Sequence, residues 1–459
     1  MTETKTTEDA ASQFLRVASV PRQGAHSSGT LDEAEAILAA HPEIAQSSLY
    51  TAAVLGNASR VGEILAESAN AAEAVRAKGG PYDWDALTWL CFSRYLRIFR
   101  SDPARSAGFV QAAQLLLEAG ADPNTGWFEP QPDGKSHWEP AIYGAAGIAQ
   151  HPELTQLLLK SGADPNDEET PYHVAEGYDL VTLRVILESG KLNQDSLTTL
   201  LIRKADWHDY EGLQPVLEFG GDPHRPTRWG VTALQQATRR DNGLENIELL
   251  LNTGAGTAAF MASVAGAARM AAMRGRADVL TLLDRLGLMP VLDKDLALVA
   301  ACALGDAEQA RTLSADPESM AMLHAHGGDL LSMFAGNGNC EGIKLLVELG
   351  IPVSATTIEG DSYFSLAKGG TALHSAAWRA RHSAVAALLE LGAPVHAWNG
   401  DGETPLHLAI RACTDSYWMN RRSPESVRLL LQAGASVEGV SYPTGYSEVD
   451  ALLDPRMKP

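Results

Sequence analysis

The chain has 459 residues, of which 45% are hydrophobic, and exceeds the ~250–300 residues of a single core unless it grows by stacking. Its 36 Lys and Arg against 57 Asp and Glu give a formal charge of −21, which excludes sequence-independent nucleic-acid binding and favours a basic partner. Four cysteines (Cys91, Cys302, Cys340, Cys413) stand far apart without CxxC spacing, so buried thiols of a reducing compartment are predicted, not a disulfide frame or a zinc site.

In chain order, residues 1–29 read as a polar, flexible segment, and MTETKTTEDAASQF lacks the basic flank and apolar core of a secretory signal. A capping helix is predicted over 31–45, then a helix pair in SLYTAAVLGNASRVGEIL over 48–65. From there nine glycines act as a ruler: Gly120, Gly162, Gly190, Gly220, Gly254, Gly287, Gly350, Gly392 and Gly434. Each follows a Leu-rich run and is placed to stop a helix in the left-handed conformation. Their spacings are 42, 28, 30, 34, 33, 63, 42 and 42. The gap of 63 holds one degenerate pair, LALVAACALGDAEQARTL, within 293–318. Residues 441–459 read as a tail. The most apolar stretches, 296–304 and 257–273, are too short to span a bilayer, so no membrane contact and a cytoplasmic location are expected.

Thr371–Ala377 reads TALHSAA and Thr404–Ile410 reads TPLHLAI, with weaker echoes in TPYHVAE from Thr170 and TALQQAT from Thr232. Thr caps the helix and Pro is tolerated at its first position. This pattern resembles the ankyrin-repeat family, whose period is about 33 residues. The resemblance covers 30–440 and implies an all-α solenoid of about eleven stacked helix pairs with hairpin-like fingers, in a divergent, bacterial-type form. It also implies structural roles for His173, His374 and His407, at the family's TPLH histidine. Departures from the period predict inserted loops near 93–107, 125–138, 354–370 and 413–425, and a shortened finger before Gly190.

Aligning the inner-helix starts brings a candidate binding strip into register: Tyr82, Asp83, Trp84, Trp89, His137, Trp138, Tyr143, Glu168, Glu169, Trp229, Arg239 and Arg240. Aromatic and Arg anchors dominate interface energetics. The competing reading is that the tryptophans only cover the fingers. Two acid/His groupings have the residue types of acid–base or metal chemistry: His137 with Glu168 and Glu169, and Asp206 with His208 in the sequence Asp206-Trp207-His208-Asp209. For the latter, helix capping is a sufficient account. His137 and Glu169 are expected not to meet in a closed pocket. Arg239, Arg240, Arg379, Arg381 and Arg411 recur on inner helices, either as solvated charges or as an anion site.

No Walker A loop, HExxH pair, nucleophile elbow or dinucleotide glycine pattern occurs, so no cofactor and no metal are expected. The leading expectation is a scaffold that binds another protein through its groove and fingers, as an inhibitor or neutralising partner of a basic protein. The alternative is an enzyme or a small-molecule-binding protein with a pocket on the irregular N-terminal repeats, and it ranks second.

Overall fold

All nine ruler glycines adopt positive φ, from 66° at Gly190 to 107° at Gly162, so each closes a helix in a conformation that a side chain would strain. The computed structural model describes residues 2–131, 134–416 and 418–454, with side chains from residue 9 onward. Helices dominate, and among the described residues the one sheet has two strands. The fold is the all-α ankyrin-repeat solenoid architecture. Two compact units divide the chain, Met1–Gly230 and Val231–Pro459. No helix among the described residues is long and apolar enough to cross a membrane.

In the first unit, helix pairs such as Leu49–Val54 with Ala58–Glu67 and Gln194–Asp206 with Tyr210–Glu218 alternate with fingers. The inserted finger near 125–138 is an antiparallel hairpin, β1 (Gly126–Pro130) and β2 (Ser136–Pro140), with Trp127 opposite Glu139 and Glu129 opposite His137. Residues 132–133 of that insertion lie outside the described residues. Trp84 and Trp89 are buried, with ring centroids 4.7 Å apart, and Trp127 lies 5.1 Å from Trp84.

Residues 9–29 pack and bond to the repeats in two ways. Helix Thr2–Ala18 buries Phe14, Leu15 and Ala18. After it, 19–31 runs as a strap tied to residues 92–97: Val20 N–H donates to Phe92 O (2.9 Å), Arg94 to Thr30 O (3.4 Å) and Arg97 to Gly29 O (2.9 Å). The 93–107 insertion begins not as a plain loop but with helix Arg94–Ile98, which carries both arginines.

In the second unit the degenerate pair forms helices Lys294–Leu304 and Ala307–Leu313, and an additional helix Pro317–Ala325 fills the long gap. Its stacking is not strictly between sequence neighbours. Asp241, in the turn after helix Ala233–Arg239, binds Arg379 (2.9 Å), Arg381 and Arg421 (3.2 Å), 138 to 180 residues away. A stack in which each repeat touches only its neighbours makes no such contacts. The 413–425 insertion supplies Arg421, and its Tyr417 lies outside the described residues. Towards the C-terminus, Ser447–Leu453 is helical with Val449 buried, and 455–459 lie outside the described residues.

Candidate functional site

Strand alternation decides which finger residues face inward. Opposed residues of an antiparallel pair share a face, so Trp127, Glu129, His137 and Glu139 fall on one side of the hairpin and Phe128 and Trp138 on the other. The inward face forms one wall of a partly open cavity of about 360 Å³. Its remaining walls come from the strap (His26), the inner helix of the next pair (Tyr143, Gly147) and the helix Glu169–Val174 with the residues after it (Glu169, His173, Glu176). Gly147 lies in a π-helical turn, Gly144–Ile148, and a Cβ there would come within 2.6 Å of the Tyr143 ring and 2.9 Å of the His173 Cβ. Such turns recur at functional sites.

His173 departs from the role that the resemblance gave it. In the regular repeats, His374 and His407 accept the backbone N–H of Thr371 and Thr404, each at 3.0 Å. Ahead of His173 the finger is five residues short, and Asp167 takes over the helix start, accepting the N–H of Glu169 (2.8 Å) and Thr170 (2.6 Å). His173 turns instead to Glu169 (3.1 Å) and Glu176 (3.2 Å). Burial works against its charge, but the two carboxylates outweigh burial and raise its pKa to about 9. Burial alone would likewise raise Glu169 and Glu176, and the His173 contact brings both below the ordinary range. Arg203 adds to the effect at Glu176, at 2.7 Å.

Glu139 behaves in the opposite way. Its side chain is 1% exposed, and burial, then the charges of Glu169 and Glu129, push its pKa up to about 8. It is therefore protonated at neutral pH. Its Oε2 is buried without a hydrogen-bond partner among the described residues. His26 meets the Tyr143 hydroxyl through Nδ1 (2.9 Å) and approaches Glu129 through Nε2 (3.4 Å), and burial lowers its pKa.

This geometry corrects several of the positions expected from the sequence. His137 and Glu169 both line one cavity, which is partly open and not a closed pocket. Trp138 faces away from His137 because neighbouring strand residues alternate. Trp84, Trp89 and Tyr143 are buried, Trp84 and Trp89 in the aromatic core, and present no exposed anchor. Tyr82 stacks on Trp89 at 5.5 Å under Arg22, while Asp83 is exposed in a turn at φ 56°. Glu168 diverges from Glu169: it pairs with Arg228 and lines a separate groove of about 500 Å³ that includes the exposed Trp229. Arg239 and Arg240 lie in the second unit, over Tyr363 at 3.9 and 5.0 Å.

Asp206 is held by Arg203 at 2.6 Å, His208 occupies a turn with φ 54°, and Asp209 caps a helix at the Gly212 N–H while binding the buried Lys204 (2.9 Å). This is capping chemistry. Among the described residues, no group of three or more His, Cys, Asp or Glu is placed to hold a metal ion. Sequence reasoning missed His26, Glu129 and Glu176. The available signal was the period-two alternation of Trp127, Glu129, His137 and Glu139 on either side of the sequence Pro-Asp-Gly.

Residues 331–439 match the family model for ankyrin repeats, in three copies. With the helix pairs, fingers and helix-stop glycines, this match supports ankyrin repeats in that stretch of the chain. Ankyrin repeats are generally scaffolds for protein–protein interaction. The matched residues fall in the second unit, whereas the cavity belongs to the first. No curated protein matches the chain significantly.

Proposed function

We propose that the chain binds a basic partner protein and that the first unit's cavity receives one of the partner's Lys or Arg side chains. One observation carries this reading: Glu129, Glu139, Glu169 and Glu176 converge on a single cavity, and Glu139 holds a buried oxygen with no donor among the described residues. A guanidinium or ammonium supplies donors and charge together, and hydrogen bonds between ionised groups are the stronger kind. Because Glu139 is protonated below about pH 8, seating a cation expels its proton, and affinity rises as pH climbs toward 8. Capture of partners from native cytosol by the wild type and by a Glu139→Gln, Glu169→Gln double variant tests the reading. Loss of a basic partner from the variant supports it; equal capture by both overturns it.

A second reading has its own observation. Glu139 is raised to about 8 while Glu169 is lowered, and environments that push two carboxyls apart are how acid and base are assigned in catalysis. In that case Glu139 donates a proton and Glu169 accepts one. Turnover of a small-molecule substrate falling by ~10²-fold or more in Glu139→Gln would favour this reading.

A further inference from the structure

One wall of the first unit's cavity comes from outside the repeats: Gly24, Ala25, His26 and Ser27 of the strap. The strap is fixed at both ends. Val20 N–H donates to Phe92 O at one end, and Arg97 and Arg94 donate to Gly29 O and Thr30 O at the other. Between these anchors, residues 23–25 and 27–28 are exposed, and Gly24 stands at φ 82° with open space where a Cβ would be. Two side chains pin this middle stretch to the repeats. Arg22 lies over Tyr82 at 5.3 Å and Trp127 at 5.4 Å, away from the cavity. His26 reaches into it.

The His26 Nε2 edge points at Glu129 Oε1 from 3.4 Å, buried and short of a hydrogen bond. An N–H there leaves Nδ1 as the acceptor, so the Tyr143 hydroxyl donates to it at 2.9 Å. The other carboxyls of the cavity are already answered. Glu169 and Glu176 are bound by His173, Glu176 also by Arg203, and Glu139 carries its own proton at neutral pH. Glu129 meets neutral groups instead: the Gln131 amide donates to Oε2 at 2.9 Å, and burial keeps His26 uncharged at neutral pH. A charged N–H donor binds a carboxylate about twice as strongly as a neutral one. The contact between His26 and Glu129 is thus one that an arriving cation can replace.

On the reading that this cavity seats a partner's cation, we propose that His26 is an autoinhibitory latch: it occupies the approach to Glu129 while the strap is closed, and the incoming Lys or Arg side chain displaces it. The stretch 21–28 then swings out between its two anchors, which stay bonded. His26 exchanges one neutral hydrogen bond for water, whereas Glu129 gains a charged donor, so the exchange runs toward opening only when a cation is present.

The probe for this latch is a fluorescein-labelled Gly-Arg-Gly peptide, followed on the full chain by anisotropy and stopped flow. His26→Phe keeps a ring against Trp127 and Tyr143 but removes both polar contacts. It should bind the probe about 3–10-fold more tightly, with the gain in the association rate. Tyr143→Phe, which releases the latch from the other side, should give a similar gain should the first variant fold poorly. The two substitutions together should gain no more than either alone. Equal or weaker binding by His26→Phe, or gains that add, while Glu139→Gln, Glu169→Gln loses the probe, overturns the latch and leaves the cation seat standing. No binding by wild type or His26→Phe, or undiminished binding by the Glu139→Gln, Glu169→Gln variant, overturns both.

Discussion

In the first unit, carboxylates crowd a cavity and one of them, Glu139, gives up its charge; in the second, arginines crowd Asp241 and none can give up theirs. Both clusters are buried, and the difference lies in the chemistry of the groups. A carboxyl answers desolvation by taking a proton, leaving a site whose charge can change on binding. A guanidinium must be met by an anion, so it serves as a cross-link. Asp241, lowered to about 2 against burial by Arg379, Arg381, Arg276 and Arg421, is that anion. The first cluster is suited to recognition and the second to holding distant repeats together.

The comparison can be broken most severely at Asp241. Asp241→Asn leaves several guanidiniums facing a neutral amide and should cost about 5 kcal/mol. Hydrogen exchange should then quicken in helices 372–378 and 258–273 and stay unchanged in 169–174. The corresponding core change in the first unit is Trp84→Ala. It removes a buried ring packed between Trp89 and Trp127 and should cost about 4 kcal/mol in urea unfolding, with any loss of binding accompanying the loss of folding.

Glu139 sharpens the contrast by pH. Its folded pKa lies above the unfolded carboxyl value of about 4.3, so the folded state holds the proton more tightly. Stability therefore falls as pH rises from about 4.3 through 8, on the order of 3 kcal/mol after allowance for coupling to neighbours. His173 acts in the same direction: its contribution is full below about pH 6.5 and is lost through about 9. Glu139→Gln should flatten the lower part of this decline in denaturation curves taken across the range. The smallest effect is expected at the exposed Trp229, where Trp229→Ala should change stability by less than about 0.5 kcal/mol and act, if at all, on partner capture.

What the sequence made legible was local. Thr371 and Thr404 cap their helices, and the nine helix-stop glycines take the backbone conformation assigned to them, because each depends on residues within a turn or two. The two charged clusters depend on pairings across long separations. His26 meets Tyr143 117 residues later, and Asp241 meets Arg421 180 residues later. Neither pairing has a period that a linear reading can follow. The misplacement of Trp138 had a different cause: the finger was read as an irregular loop, and only a strand assigns His137 and Trp138 to opposite faces.

The strap has a consequence for how such a protein can grow. Repeat arrays commonly lengthen or shorten by gaining or losing a whole helix pair, because each unit meets only its neighbours. Here His26, from outside any repeat, must reach Tyr143 over the intervening pairs. One duplicated pair inserted between them would carry Tyr143 away by ~10 Å, the spacing of packed helices, and leave the cavity without that wall. The number of repeats in this stretch is thereby fixed, and its evolution is confined to changing side chains in place.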